Sequence, residues 1–516
     1  MESNSDEMEK MKEPFLDTNQ DSSKGGFRTL PFIIANEAAE RLGTCGLTAN
    51  MILYMRNEYK MEMVTGNNIL NLWISATNFL PVVGAFLSDS FVGRYPMIGL
   101  GSILSLLGII MLWSTTLIPH ARPSTCIESS SSCSSSTAIK VSYLCCSIVI
   151  MSIGSGGIRS SSMAFGTDQL KLRDSLKKSV PLESYFGCTH VSLSFFILLG
   201  FSLLRQESTT MVYHHRKGSA LLVPSDKLRF LNKACIIRCP QQYSSADEIH
   251  LDSWKVCTVD QVEELKAVIK VIPLWSTGAI LAVNVNQPSF PVIQARSMDR
   301  HLTSWFEIPA GSFAVFMSLV FILWVGIYDS IILPLASWIM KKPVCLSPKQ
   351  RMGIGIFVSI FPPATMAIIE YFRRNMVINE GLSADPDAVV KMSAMWLLLP
   401  NCLNGLAEAL NIIAQNEFYF SEFPRSMSCI ALTLRGLGMS AGGLLATFII
   451  SSVDKISTSG GNMSWVPSNI NEGHYDYYYW VLAGISAGNF VYFLLCSCAY
   501  GPEAEGGEVN FTEVVD

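Results

Sequence analysis

Charge is what this chain has least of. Asp, Glu, Lys and Arg make up 15% of its 516 residues, where a soluble domain carries roughly 25%. With 49% hydrophobic residues and a mean hydropathy of +0.33, that shortage excludes an ordinary soluble protein and implies a polytopic membrane protein in a lipid bilayer. A basic domain is also missing. The net charge is −5 and the isoelectric point about 5.9, so nucleic acid is not expected as a partner. The 14 cysteines form no CxxC pair and no Cys/His metal spacing, and most read as small hydrophobes within apolar runs. No metal or cofactor is therefore expected. Without a nucleophile motif or phosphate loop, no enzyme is expected either. The segment to about Lys24 is polar and acidic, without the basic, apolar and small-residue succession of a signal peptide, so the first apolar run is expected to stay.

What is present is a series of spanning-length apolar runs, since about 20 residues cross a bilayer. They cover approximately 30–55, 67–88, 96–119, 139–163 and 185–204, then 267–287, 307–330, 352–372, 392–416, 427–452 and 477–499. Eleven runs result, five before a polar stretch at 205–264 and six after it. That stretch holds two amphipathic candidates, Asp226 to Arg238 and Thr258 to Ile272, the second opened by a capping box of Thr258 and Gln261. Basic residues set orientation. Lys171, Arg173, Lys177 and Lys178 place the loop after the fourth run, and with it the N-terminus, in the cytosol. Lys341, Lys342, Lys349 and Arg351 do the same for a later loop, and Arg205, Arg216, Lys217, Lys227, Arg229, Lys233 and Arg238 for the polar stretch. Five spans cannot join two cytosolic ends, so the parity conflicts. Cys126 and Cys133 share one polar loop and could pair if it is extracellular.

Charge inside an apolar run is informative because it is so rare here. Glu37, Glu40 and Arg41 interrupt the first run, and the spacing i, i+3, i+4 places them on one helical face. A charge at mid-bilayer costs at least about 2.5–3.5 kcal/mol, so such residues are seldom idle. Two acids beside one base partly neutralise each other and leave one carboxylate free to bind and release a proton. An ion-pair staple between helices is the alternative.

Further motifs follow in order. Gly84-Ala85-Phe86-Leu87-Ser88-Asp89-Ser90-Phe91-Val92-Gly93-Arg94-Tyr95 crosses from the second run into a loop. Gly154-Ser155-Gly156-Gly157-Ile158-Arg159 and Phe165-Gly166-Thr167-Asp168-Gln169 mark the fourth run. Later come Phe306-Glu307-Ile308-Pro309, Gly405-Leu406-Ala407-Glu408-Ala409, Gln415-Asn416-Glu417-Phe418 and Pro424-Arg425-Ser426-Met427. Together with Glu37, Glu40 and Arg41, these resemble the plant nitrate/peptide transporter family, a branch of the proton-dependent oligopeptide transporters in the major facilitator superfamily. The likeness covers roughly residues 28–186 and 226–500, and the tail with Tyr477-Tyr478-Tyr479 is most similar to the first or second subfamily.

The resemblance implies an all-α membrane fold of two helical bundles. Its expected parts are an N-terminal tail (1–27), an N-terminal bundle (28–204), a cytosolic linker (205–264), a six-helix C-terminal bundle (265–500) and a tail (501–516). The family has 12 spans; this chain offers about 11. After Ser184-Tyr185-Phe186 it reads Gly187-Cys188-Thr189-His190 and gives one apolar run where the family has two helices. Met97, Ser160-Ser161 and Arg435 also depart from the family pattern.

The implied function is proton-coupled secondary transport, in first place low-affinity nitrate:proton symport by alternating access, with protons as the coupling ion. Di/tripeptides, glucosinolates and plant hormones are alternative solutes. A non-transporting truncated form or sensor is the alternative class, and the 185–204 region, with its expected gap in the N-terminal bundle and weak transport, is the feature behind it. Glu37, Glu40 and Arg41 are the implied proton-coupling residues. Arg159 and Glu408 are substrate or coupling residues, with Asn284 and Asn286 the polar groups nearest Val285, where some nitrate carriers of the family hold a histidine. Arg159 suits a planar anion because a guanidinium donates two parallel hydrogen bonds; its alternative is to snorkel to headgroups. Asp89 and Arg94 are read as a conformational latch, Glu417 as a gate or packing contact, and Glu307 as a partner of a helix dipole. Arg435 could meet Glu408 or Glu417. Asn462 opens a sequon, Asn462-Met463-Ser464, and Asn510 another in the tail. A plasma-membrane protein, monomeric or a loose homodimer, with a small anion as substrate completes the expectation.

Overall fold

The computed structural model describes residues 30–118, 131–174, 212–213, 224–225, 228–237, 257–303, 305–341, 346–423, 428–461 and 463–501. Among the described residues the first half holds four long helices: α1 (Leu30–Tyr59), α2 (Met63–Leu87), α3 (Arg94–Leu117) and α4 (Ser131–Asp174). The second half begins with α5 (Val259–Val285) and the short α6 (Ser289–Arg296). Next come α7 (Ala314–Ile327), α8 (Leu333–Met340), α9 (Pro348–Val358) and α10 (Phe361–Asn379). It closes with α11 (Leu398–Glu422), α12 (Ser428–Ser457) and α13 (Tyr475–Tyr500).

Nine helical segments among the described residues are long and apolar enough to span a membrane; the more polar α1 is a tenth of spanning length. These ten occupy the places of ten of the eleven apolar runs. The eleventh, 185–204, lies outside the described residues, as do Cys126, the side chain of Cys133, Asn462 and Asn510.

Small residues set how closely the first half packs. A Cβ at Gly101 on α3 would lie 2.7 Å from the Gly154 carbonyl oxygen on α4. One at Gly156 would lie 2.7 Å from Leu80 Cβ on α2. The glycines of the fourth-run motif thus let α4 sink between α2 and α3, the small-residue packing that lipid-embedded helices use. Gly93 sits at φ 84°, where a side chain would be strained, and closes the loop before α3.

In the second half the expected capping box is present. Thr258 Oγ1 accepts from the Gln261 backbone at 3.3 Å, and Gln261 Oε1 accepts from the Thr258 backbone at 2.9 Å. The linker candidate at Asp226 to Arg238 is a short 3-10 helix, Arg229–Cys235, that buries Leu231 and Cys235 against Val259, Val262 and Leu265 of α5. Lys266 Nζ straps it by donating to the Ser225 carbonyl at 2.8 Å and to Glu263 at 2.7 Å. Burial pushes the Cys235 thiol up to about 11, so it stays protonated at neutral pH.

The two halves meet at the end where α1 finishes, the outer end on the basic-residue orientation. Met51, Ile52 and Met55 of α1 share one apolar cluster with Phe290 and Ile293 of α6 and Tyr475, Tyr478 and Tyr479 of α13. Arg296 donates to Asn57 Oδ1 at 3.2 Å, Asn68 to Ser451 Oγ at 3.0 Å, and the Met63 backbone to Ser468 Oγ at 3.3 Å. Beneath this cluster, Arg373 and Glu370 are both fully buried. Arg373 donates to Glu370 Oε2 and Oε1 at 2.8 and 2.7 Å, to Asn471 Oδ1 at 2.6 Å and to the Ile470 carbonyl at 3.1 Å. Gln294 adds a bond to Glu370 Oε2 at 2.9 Å. Glu307 corrects an expectation: it lies in a short strand, Phe306–Glu307, paired with His301–Thr303, and its carboxylate meets Arg300 at 2.5 Å. Helical structure starts only at Ala310, so Glu307 has an ion pair rather than a helix dipole as its partner.

Candidate functional site

Ser155 and Arg159 are four residues apart on α4, on a different face from Gly154 and Gly157, and both reach Glu40 on α1. Arg159 Nε donates to Glu40 Oε2 at 2.9 Å and Nη2 to Oε1 at 3.0 Å, a bidentate pair. Thr44, one turn along α1, donates to Oε1 at 2.9 Å, and Ser155 Oγ donates to the same oxygen. Both ionic side chains are nearly buried, Arg159 at 10% and Glu40 at 5% exposure. Arg159 therefore faces the bundle interior instead of snorkelling.

This pairing redistributes the charges of the first run. Arg41 lies 3.8 Å from Glu37, and its side chain is 54% exposed. Glu40, the acid expected to be neutralised locally or left free, is instead taken by a base 119 residues away. Asn36, Thr44, Trp73, Thr77, Ser102, Ser105 and Ser155 join Glu40 around a cavity of about 200 Å³. Leu47, Leu106, Ile109, Met151 and Ile158 make most of the wall apolar, with the hydroxyls and the amide as separate polar points on it.

Glu408 of α11 faces Arg435 of α12 at 4.0 Å. Trp275, Gly278 and Val285 of α5 and Asn411 and Gln415 of α11 complete a narrow pocket around them. Arg435, an irregularity in the sequence, thus meets Glu408 and not Glu417.

The remaining candidates lie elsewhere. Asn284 donates to the Ser359 carbonyl at 3.2 Å and to Ser486 Oγ at 2.8 Å, fastening α5 to α13 and to the joint between α9 and α10. Asn286 donates to the Met439 carbonyl at 3.0 Å on α12. Both amides are spent on helix packing, so the structure does not bring them to Glu408 as substrate donors. Glu417 pairs with Arg351 of α9 inside the second half, a packing contact rather than a bridge between halves. Asp89 lies in a π-helical turn, Ser88–Val92, and Arg94 opens α3. Ser155 and Thr44 were not singled out in the sequence; the only signal was their four-residue spacing from Arg159 and Glu40.

Comparison with known proteins is consistent across methods. The profile described as "PTR2: POT family" matches residues 191–466. Protein NRT1/ PTR FAMILY 1.1 of Arabidopsis thaliana is 43% identical, covering 94% of this chain and 93% of its own. Protein NRT1/ PTR FAMILY 1.3 of the same plant is 42% identical, covering 93% and 96%. The first alignment runs over 549 positions, more than this chain has residues, whereas the second runs over 483. Some close relatives therefore carry stretches that this chain lacks, and others align with few gaps. A solved structure described as an auto inhibited POT family peptide transporter superposes with a TM-score of 0.58 at 16% identity, over 93% of this chain and 98% of that one. The POT family transporter PepTSo gives the same score and identity, over 92% and 98%. These structures show the fold, that of the major facilitator superfamily. The chain belongs to the NRT1/PTR family within the POT family, a family of multi-pass membrane transporters.

Proposed function

We propose that this member of the NRT1/PTR family is a proton-coupled symporter that takes up nitrate by alternating access across the plasma membrane, working as a monomer or loose homodimer. The observation that carries the reading is the Glu40–Arg159 pair, near-buried and joining two helices through the middle of the first half. Protonating Glu40 removes the charge that holds Arg159. The guanidinium then has two parallel donors to offer a planar anion, while Ser155 and Thr44 keep the neutral carboxyl in place. Loss of the proton restores the pair and expels the anion. Charge and proton movement are thereby linked through one arginine. The energetics favour the direction. An anion entering a negative interior costs about 2.3 kcal/mol per 100 mV, and two accompanying protons reverse the sign.

The cavity beside Glu40, about 200 Å³, supports a small solute better than a drug-sized one, which takes roughly 300–1,000 Å³. Peptides, glucosinolates and hormones remain the alternative solutes. Uptake of labelled nitrate at about pH 5.5 and about pH 7.5 tests the reading, because His-independent coupling through a carboxylate requires uptake to rise with acidity. Equal uptake at the two pH values, or none at either, sinks it.

A further inference from the structure

The two acid–base pairs that face the interior are not equivalent. Glu40 is saturated: two bonds from Arg159, one from Thr44 and one from Ser155 fill its oxygens. Glu408 and Arg435 only approach each other, at 4.0 Å, beyond the length of a charge-assisted hydrogen bond. Arg435 Nε is buried and has no hydrogen-bond partner, and neither has Asn411 Nδ2 in the same pocket. A guanidinium has five donors and no acceptor. One long ionic contact leaves the buried Nε–H unsatisfied, which is costly for a donor held away from bulk water. The side chain is nevertheless 41% exposed while Glu408 is 14% exposed, so the outer edge of the guanidinium is open while the acid is shielded.

We propose that Arg435 is an anion-binding, specificity-determining residue of the second half, and that Glu408 is the internal carboxylate its ligand displaces. The inference rests on the transport reading above. The ligand class is a planar oxyanion, nitrate or a carboxylate, whose adjacent oxygens match the exposed guanidinium edge. The pocket itself leaves only about 20 Å³ of free space, enough for one water. A ligand therefore binds at the mouth, against the exposed edge of Arg435, and does not enter the pocket. Trp275 is fixed in the pocket wall because its indole Nε1 donates to the Leu434 carbonyl at 2.8 Å. Without Arg435, Glu408 would present a lone negative charge and favour a cationic group. With Arg435 beside it, the site is neutral overall and its unfilled capacity is all donor.

The test is ligand-induced thermal stabilisation of the purified full-length protein, read with nitrate, with acetate, and with chloride at equal ionic strength. Wild type is expected to be stabilised by nitrate, acetate or both over chloride, and the pattern names which planar oxyanion fits. Arg435→Gln should weaken that binding at least tenfold. Glu408→Gln should strengthen it several-fold, because the competing carboxylate is gone. Opposite signs separate ligand competition from a packing role, in which both changes would weaken binding alike. Unchanged affinity in Arg435→Gln, or equal weakening in the two variants, overturns the proposal. If Arg435→Gln does not survive extraction, Glu408→Gln decides alone: tighter binding supports the proposal, and equal or weaker binding overturns it. The transport reading fails separately, through wild-type nitrate uptake that does not change with pH, whatever Arg435 binds.

Discussion

Among the described residues, two arginine–glutamate pairs share one bidentate geometry and differ in their surroundings. Glu370 and Arg373 are three residues apart on α10, fully buried, and every neighbour in the network is fixed: Gln294, Asn471 and the Ile470 carbonyl. Glu40 and Arg159 come from different helices and keep slight exposure, and Glu40 borders a cavity. The first pair ties the loop before α13 to α10. The second couples two helices that a major facilitator can move relative to its other half. A buried ion pair is weak evidence for stability or function by itself. What decides is whether the surroundings leave either partner an alternative.

Removing one partner is the harshest test of that contrast. Arg373→Ala leaves Glu370 charged and unpaired in a fully buried site, which costs about 3–5 kcal/mol. The expected outcome is a large drop in melting temperature in detergent and little recoverable protein. A variant that melts like wild type would remove the structural half of the comparison.

Glu40→Gln should do the reverse. The amide keeps most of the shape and several hydrogen bonds, so the stability loss should stay within about 1–3 kcal/mol, while pH-dependent nitrate uptake is abolished. Uptake that still rises with acidity would make this pair a staple like the other. Arg159 sharpens the point. Arg159→Ala should eliminate uptake, and Arg159→Lys should retain a fraction, since lysine keeps the charge without the bidentate fork. Equal loss in both would mean that two parallel donors, and not charge, are what the site needs.

The smallest expected effect comes from the edge of the structural region. His474, just before α13, is partly buried, stacks on Tyr477 and lies 3.0 Å from Arg374 Nη2. Burial first, and then the Arg374 charge, push its imidazole below the usual range, against a weaker pull from Asp476. The unfolded chain then binds the proton more readily than the folded one. Stability contributed by neutral His474 is present above about pH 6.5 and is lost as pH falls below it. A melting temperature slightly lower at pH 5.5 than at pH 7.5 is expected, and His474→Gln should flatten that slope. An unaltered slope in the variant would place the pH sensitivity elsewhere, and would also bear on how acidic uptake assays are read.

Much of the architecture is legible along the chain because hydrophobic runs, caps and glycines act locally. Thr258 and Gln261 are three residues apart, and their mutual bonds need nothing from the rest of the protein. The glycines at 154, 156 and 157 announce close packing in the sequence, though not which helices approach. The site was legible only in its list of charges. Glu37, Glu40 and Arg41 share a helix, and sequence spacing suggests that they answer one another. The structure pairs Glu40 with Arg159 because a near-buried carboxylate needs a bidentate donor from a second helix, which the half-exposed Arg41 does not provide. Asn284 and Asn286 look like ligands on a sequence and serve as fasteners in the fold, since a buried amide takes whichever carbonyl or hydroxyl lies within reach.

The sequence by itself therefore determined the membrane class, ten of its spans and the family, because bilayer thickness and motif order are properties of one chain read end to end. Tertiary structure alone decided which charges meet. Glu40 finds Arg159, Glu408 finds Arg435 loosely, and Glu370 and Arg373 are sealed completely. The physical reason is that the energy of a charge depends on its distance to others and on the water left around it, and neither quantity is written in sequence separation.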